Sequence, residues 1–338
     1  MSTAALAWHE SLGVVCPRCR GGLAAQAEAF DCQRCRVHYP VVLGIADFRL
    51  EADPWIGLED DREKARRLEK GSRGASLEAM VRTYWSMTPG TAVDQASRFV
   101  HHVMNAGARS REWIERLDLP GGRPAGPWLD VGTGTGDLAC AVADHGIRAV
   151  GIDVAMRWLV VARRRAELAG THVDFICCNA EHLPFSDRTF ARVVSVGTLE
   201  HCRDAEQVLA EWKRVLVPRG DVRLRTVNRF TMLAEPHVGV WGVGFVPRRL
   251  ADRYVRWWGG QGYAHHHPLS SRELRRGMRR AGFTGVHVEP ASLLATERAR
   301  LGGAQWAGRA YERARRFPLV RAVLRASGPL LEAHGVAA

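Results

Sequence analysis

One segment constrains this chain more than any other: Trp128, Leu129, Asp130 and Val131, followed by Gly132, Thr133, Gly134, Thr135 and Gly136. The first four read as the end of a buried strand. Glycine at every second position then demands a tight turn, because glycine accepts positive φ, and a missing Cβ lets a ligand approach the main chain. Asp137, Leu138 and Ala139 begin a short apolar helix that runs to about His145, with Gly146 placed to end it. A helix N-terminus behind such a turn offers free N–H groups and the positive end of a dipole. A nucleotide-like ligand is the natural occupant.

The flanking pattern extends this reading. A second strand, 148–152, ends in Asp153, twenty-three residues after Asp130, and a carboxylate there can accept both hydroxyls of a ribose. A third strand, 172–177, ends at Cys178, Asn179, Ala180 and Glu181. Strands at 191–196 and 221–227 alternate with helices at 156–169, closed by Gly170, and at 204–217, closed by Pro218, Arg219 and Gly220. Ser270 and Glu273 form a capping box ahead of a helix, 283–288 reads as the next strand, and 330–336 as a final antiparallel one. The alternation predicts a mostly parallel sheet covered on both faces, with ligands at the carboxyl ends of its strands. Glu200 and His201 fall just past one of those ends.

Together, the 130–136 loop, Asp153 and the 178–185 segment resemble the class I S-adenosylmethionine-dependent methyltransferases, in the small-molecule branch that includes quinone-ring methyltransferases. The resemblance covers about residues 80–290. It implies an α/β fold with a Rossmann-like seven-stranded sheet, helices on both faces, and S-adenosyl-L-methionine as cofactor. It further implies that Asp130, Gly132, Thr133, Gly134 and Gly136 hold the methionine part, with Asp130 near its amino group. Asp153 would bind the ribose, and Asn179, Ala180 and Glu181 would face the adenine. The family usually has an acid where Asn179 stands, although an amide oxygen can also accept from an adenine amino group. Helices ahead of the first strand would close the pocket, which makes Tyr84 and Trp85 candidates for a lid as well as for core packing.

Ahead of this region, Cys16, Cys19, Cys32 and Cys35 have the spacing C-x2-C-x12-C-x2-C. Two such knuckles suit a closed tetrahedral Zn(II) site that supplies folding energy to a short segment. The stretch 37–48 resembles the end of the small zinc-ribbon domains found as methyltransferase partners or fused ahead of bacterial methyltransferases, so the zinc is expected to be structural, with His38 on the surface. Cys140, Cys177, Cys178 and Cys202 read as small buried apolar residues of a reducing compartment. The reading divides the chain into a ribbon (1–50), a linker with cap helices (51–120), a cofactor-binding core (121–227), an aromatic-rich substrate lid (228–268) and a C-terminal part with basic helices (269–338). The charged run 59–70 reads as a solvated linker helix, and 120–124 as a turn cluster.

The 338-residue chain has no apolar run long enough to span a bilayer and no signal-peptide pattern, which points to the cytoplasm. Its net charge of +12, carried almost entirely by arginine, permits an anionic partner without demonstrating one. The basic amphipathic tail 317–325 suits weak contact with a membrane surface, or a helix packed on the domain.

Methyl transfer from a sulfonium is an in-line displacement with a neutral leaving thioether, so alignment and water exclusion do most of the catalysis. A base is needed only where the acceptor must lose a proton. His201 is the first candidate, with Glu200, Glu235 and His237 behind it. The run His265, His266 and His267 has no acid at ligand spacing and reads as incidental. The expected function is methylation of a small-molecule or lipid-linked acceptor at O, N or C. The alternative is an rRNA or tRNA methyltransferase with a zinc-finger RNA module. Nucleic acid is less favoured because the chain lacks the Asn/Asp-Pro-Pro-aromatic signature of many base-methylating enzymes. A non-catalytic cofactor-binding regulator is a third reading.

Overall fold

The computed structural model describes residues 8–88, 93–117, 125–260, 262–299 and 302–338. The turn cluster expected at 120–124 lies outside them. The chain divides into two compact units, Met1–Arg192 and Val193–Ala338.

The first unit opens with four short strands, β1 (Leu23–Ala25), β2 (Ala29–Cys32), β3 (His38–Val42) and β4 (Ile45–Asp47), joined as an antiparallel meander. Three parallel strands follow, β5 (Trp128–Val131), β6 (Ala149–Asp153) and β7 (Val173–Cys177). The order across this unit is β1-β2-β3-β4-β7-β6-β5. β4 pairs in parallel with β7, Ala46 opposite Ile176. The expectation of a seven-stranded sheet beside a separate ribbon is corrected here. With the four strands introduced below, the described residues carry eleven, and the ribbon's last strand covers the side of β7. Ile45, Ala46 and Asp47 are all buried, and an uncovered β7 would present a row of unpaired backbone groups. A second tie joins Val15 N–H to Pro184 O at 3.0 Å and the Arg20 guanidinium to Leu183 O at 2.8 Å.

The helix Leu58–Gly71 forms where the charge run predicts, but it is not solvated all round: Asp61, Ala65 and Leu68 are buried. Their i, i+4, i+7 spacing is one helix face, and that face packs on the helix Met156–Ala169. Asp61 accepts Met156 N–H at 2.8 Å, and its carboxylate also pairs with Arg49 and Arg157, each at 2.7 Å. The helices Leu77–Ser86, Val93–Met104 and Ala106–Arg116 fall in the span read as cap helices, the last two separated at Asn105. Tyr84 stacks on Trp158 at 4.0 Å between centroids, and Trp85 on Phe99 at 4.4 Å, so both pack within this unit.

The second unit is built on β8 (Phe190–Val196, which starts just before the division), β9 (Leu216–Val227), β10 (Phe283–Pro290) and β11 (Leu330–Ala337), in the order β8-β9-β11-β10. β11 is antiparallel to both neighbours. β9 begins at Leu216 rather than after Gly220: the expected stop at 218–220 lies inside the strand, with Arg219 at φ 66°. Asp204 caps the helix Ala205–Val215, and Ser270 with Glu273 forms the capping box of Ser271–Arg280. Residues 228–268 build a minor core of their own from Val240, Val243, Ala251, Val255 and Tyr263 around the helix Arg248–Trp257.

Candidate functional site

β5, β6 and β7 are parallel neighbours, so their carboxyl ends line up, and the loops leaving them carry the expected cofactor residues. Gly132, Gly134 and Gly136 have φ of 74°, 50° and 76°. At Gly136 a Cβ would lie 2.7 Å from the Ala162 side chain, so the packing of the Met156–Ala169 helix excludes any larger residue. At Gly134 a Cβ would meet nothing within 4 Å, which leaves open space against the main chain. The loop is anchored from behind: the N–H groups of Gly132 and Thr133 both donate to Ile152 O, at 2.9 and 2.8 Å.

Two carboxylates frame this space. Asp130 is buried at the end of β5 and accepts the Thr133 hydroxyl at 2.6 Å. Burial pushes its carboxyl up to about 8, with nearby Asp137 and Asp153 adding to the shift. Asp153 accepts Gly134 N–H and Ala155 N–H, one on each oxygen, both at 2.8 Å. These bonds fix the plane of the carboxylate and leave each oxygen a second lone pair for a diol. Burial raises Asp153 as well. Asn179 does something the sequence did not indicate. Its side-chain oxygen accepts Leu50 N–H at 2.9 Å and Glu51 N–H at 3.1 Å, and its Nδ2 donates to Glu51 O at 3.2 Å. The amide is therefore a latch on the segment after β4, a role in addition to the expected one toward the adenine. Ala180 and Glu181, half-buried, follow it on the same loop.

In the ribbon, the four cysteines converge as expected. Their sulfurs lie within 4.8 Å of one another, with Cys16–Cys35 at 3.5 Å and Cys19–Cys32 at 3.4 Å. The two knuckles repeat one geometry: Arg20 N–H returns to Cys16 O and Arg36 N–H to Cys32 O, and both arginines sit at φ 61°. His38 is exposed and paired with Asp31.

In the second unit, the four candidate acid–base residues come together. Leu199–His201 is a 3₁₀ turn after β8, and Glu200, fully buried, accepts the Thr226 hydroxyl at 2.8 Å. Burial raises the Glu200 carboxyl. Glu235 is buried in a tight turn, accepting His237 N–H at 2.8 Å and Val238 N–H at 3.0 Å, with His237 Nδ1 at 2.6 Å from its other oxygen. Burial acts against charge on both partners, but their mutual attraction wins: His237 is raised and Glu235 lowered. His201 lies edge-on to His237, with centroids 4.7 Å apart. Burial first, then His237 and His266, drive its imidazole down to about 3, so it is neutral at pH 7 and a weak base. The residue missed from the sequence is His266, whose ring is 5.2 Å from His201 and 4.7 Å from His237. It stands in the histidine run read as incidental, and only the fold brings the other two rings to it.

Residues 129–224 match the family described as "Methyltransferase domain". The ubiquinone/menaquinone biosynthesis C-methyltransferase UbiE of Desulfotalea psychrophila is 32% identical over 229 residues, covering 63% of this chain and 91% of that protein. The chain belongs to the class I S-adenosylmethionine-dependent methyltransferases. The demethylmenaquinone methyltransferase of Thermus thermophilus is also 32% identical, over 163 residues, covering 48% of this chain and 70% of that one. A solved S-adenosylmethionine-dependent methyltransferase from Mesorhizobium loti aligns at 20% identity with a TM-score of 0.45, over 67% of this chain and 97% of that one. As a class I methyltransferase the protein is an enzyme that uses S-adenosylmethionine, and the glycine loop at the end of β5 with the anchored Asp153 fits that cofactor.

Proposed function

We propose that this methyltransferase acts on a small, lipid-linked acceptor of the quinol or phenol class and carries a structural Zn(II) in its ribbon. The observation that carries the acceptor class is the likeness to the Desulfotalea psychrophila enzyme, which spans nearly all of that protein. Bound S-adenosylmethionine supplies a methyl group on a sulfonium. The chain's own residues would supply position: the open backbone at Gly134 would receive the methionine part, Asp130 would take its ammonium, and Asp153, fixed by Gly134 N–H, would accept the ribose hydroxyls. The group formed by the buried Glu200 and Glu235 with the more accessible His201 and His237 is the polar machinery of the second unit and is assigned to the acceptor's ionisable group. The RNA alternative is not favoured, since these relatives carry quinone names.

Cys16, Cys19, Cys32 and Cys35 would hold Zn(II) as four thiolates. A tetrahedron with arms of about 2.3 Å places sulfurs about 3.8 Å apart, close to the spacing found. Four thiolates close the coordination sphere, so this ion has no catalytic position. A weak membrane contact is assigned to the helix Pro318–Ser327, which has no buried residues and turns Phe317, Leu319 and Val323 to solvent. Among the described residues, no helix is long and apolar enough to cross a membrane.

Calorimetry of S-adenosylmethionine with wild type and Asp153→Ala tests the cofactor site. Loss of one or two charge-assisted hydrogen bonds should weaken binding about 10- to 100-fold. Equal affinity in the two proteins would remove Asp153 from the site. Transfer of labelled methyl to prenylated quinols and phenols, run beside tRNA and rRNA, then tests the acceptor class. Label entering only the RNA would overturn it.

A further inference from the structure

We propose that His201, His237 and His266 form a binding site for a divalent transition-metal ion, separate from the cysteine cluster of the ribbon. One ring nitrogen of each lies within 4.8 Å of the other two. The rings meet at steep angles, 85° for His201 with His237, 65° for His201 with His266 and 42° for His237 with His266.

Each ring is held by the structure behind it. Glu235 engages Nδ1 of His237 at 2.6 Å while its other oxygen accepts the backbone N–H groups of His237 and Val238. This is the carboxylate–histidine arrangement that orients metal-bound imidazoles, and it leaves Nε2 of His237 as the donor. The acid that the sequence around His265 lacks is thus supplied from the 235–239 turn. Tyr263 lies flat on His266, 12° from parallel with centroids 5.1 Å apart. His267 N–H donates to Glu200 O at 2.6 Å, tying the loop that carries His266 to the turn that carries His201.

The chemistry of the donors selects the ion. Three imidazoles suit zinc, copper, iron or nickel and not magnesium or calcium, which demand oxygen. Bonds of about 2.0–2.1 Å place tetrahedral nitrogens about 3.3–3.4 Å apart, so from separations within 4.8 Å the rings need to close by at most about 1.5 Å around the ion. Three protein ligands leave a further position for a water or a substrate oxygen, which the ion would acidify. Use of that position in methyl transfer rests on the acceptor class proposed above; occupancy of the site does not.

The test uses the full chain with Zn(II) already filling the cysteine cluster, titrated with Co(II). A second equivalent should bind, with weak d–d absorption and no thiolate charge-transfer band, and with hyperfine-shifted histidine ring protons in the NMR spectrum of the wild type. His266→Ala should lose this equivalent while keeping the first. Glu235→Gln should weaken it about 10- to 100-fold through the ring it orients. Absence of hyperfine-shifted histidine signals in the loaded wild type would overturn the proposal without reference to any variant. So would a second equivalent that survives both His237→Ala and His266→Ala. Because every readout is metal binding, failure to methylate a quinol would count against the acceptor class and not against this site.

Discussion

A buried acid beside the loop proposed to receive the cofactor's ammonium has a measurable consequence. Asp130, pushed up to about 8 by burial, holds its proton at pH 7 in the ligand-free protein. An ammonium bound next to it favours the ionised form, so cofactor binding at pH 7 should release a proton, and affinity should rise as pH climbs from 6 toward 8. Calorimetry in buffers of different ionisation enthalpy measures that release directly; a buffer-independent heat would mean that the ammonium does not sit at Asp130. The free protein should show the opposite trend. A carboxyl whose folded value lies above its unfolded one makes stability fall as pH rises between the two. Asp130 and Asp153 were legible in the sequence because each lies at the carboxyl end of a parallel strand, a local pattern. The partners of Asn179 were not, since Leu50 and Glu51 reach it only through the pairing of β4 with β7. Asn179→Ala would strip two backbone N–H groups and one carbonyl of their partners, and a loss of about 1–3 kcal/mol in denaturant melts is expected.

Among the elements, the helix Leu58–Gly71 shows where sequence reading stops. Its helicity and charge pairs are local and were read correctly, but Asp61 looks like any surface acid until its partners are known. In the structure it caps the helix Met156–Ala169 and joins Arg49 and Arg157 in a buried network that also includes Asp47 and Asp53. Removing one member leaves buried charge uncompensated, so Asp61→Ala should cost about 3–5 kcal/mol in urea unfolding, far more than an exposed acid would. A cost below 1 kcal/mol would show the network to be dispensable. Burial opposes ionisation of Asp47, but Arg49 and Arg62 overcome it and hold its carboxyl below the usual range. Its contribution is therefore present at neutral pH and is lost as acid carries the protein below about pH 4, the ordinary carboxylate range. The ribbon makes a parallel prediction. A chelator that strips the Zn(II) proposed for it should unfold β1 to β3 first, seen as lost amide protection across 16–42, before the parallel strands respond.

At the scale of the whole molecule, the net charge of +12 and the C-terminal helix act together. Arg321 and Arg325 pair with Glu289 at 3.6 Å, while Phe317, Leu319 and Val323 are 63%, 84% and 62% exposed. Packing on the domain and contact with a surface, the two readings open from sequence, are therefore compatible: one face serves each. Leu319→Glu with Val323→Glu should abolish co-sedimentation with anionic vesicles, and binding by the wild type should weaken as salt rises. Sedimentation unchanged by the double substitution would place the contact elsewhere. The same scale explains why the histidine cluster escaped the sequence: its rings come from three segments that only the folded second unit brings together.

The pairing of β4 with β7 also governs how the chain can be made. β4 is synthesised well before Val173–Cys177, so one side of it stays uncovered until that later strand has followed. During that interval the proposed thiolate-bound ion would brace so small a piece. A shortened version lacking this segment would not be a minimal catalyst. It would expose the flank of β7 as a template for a second molecule, and it should precipitate rather than fold.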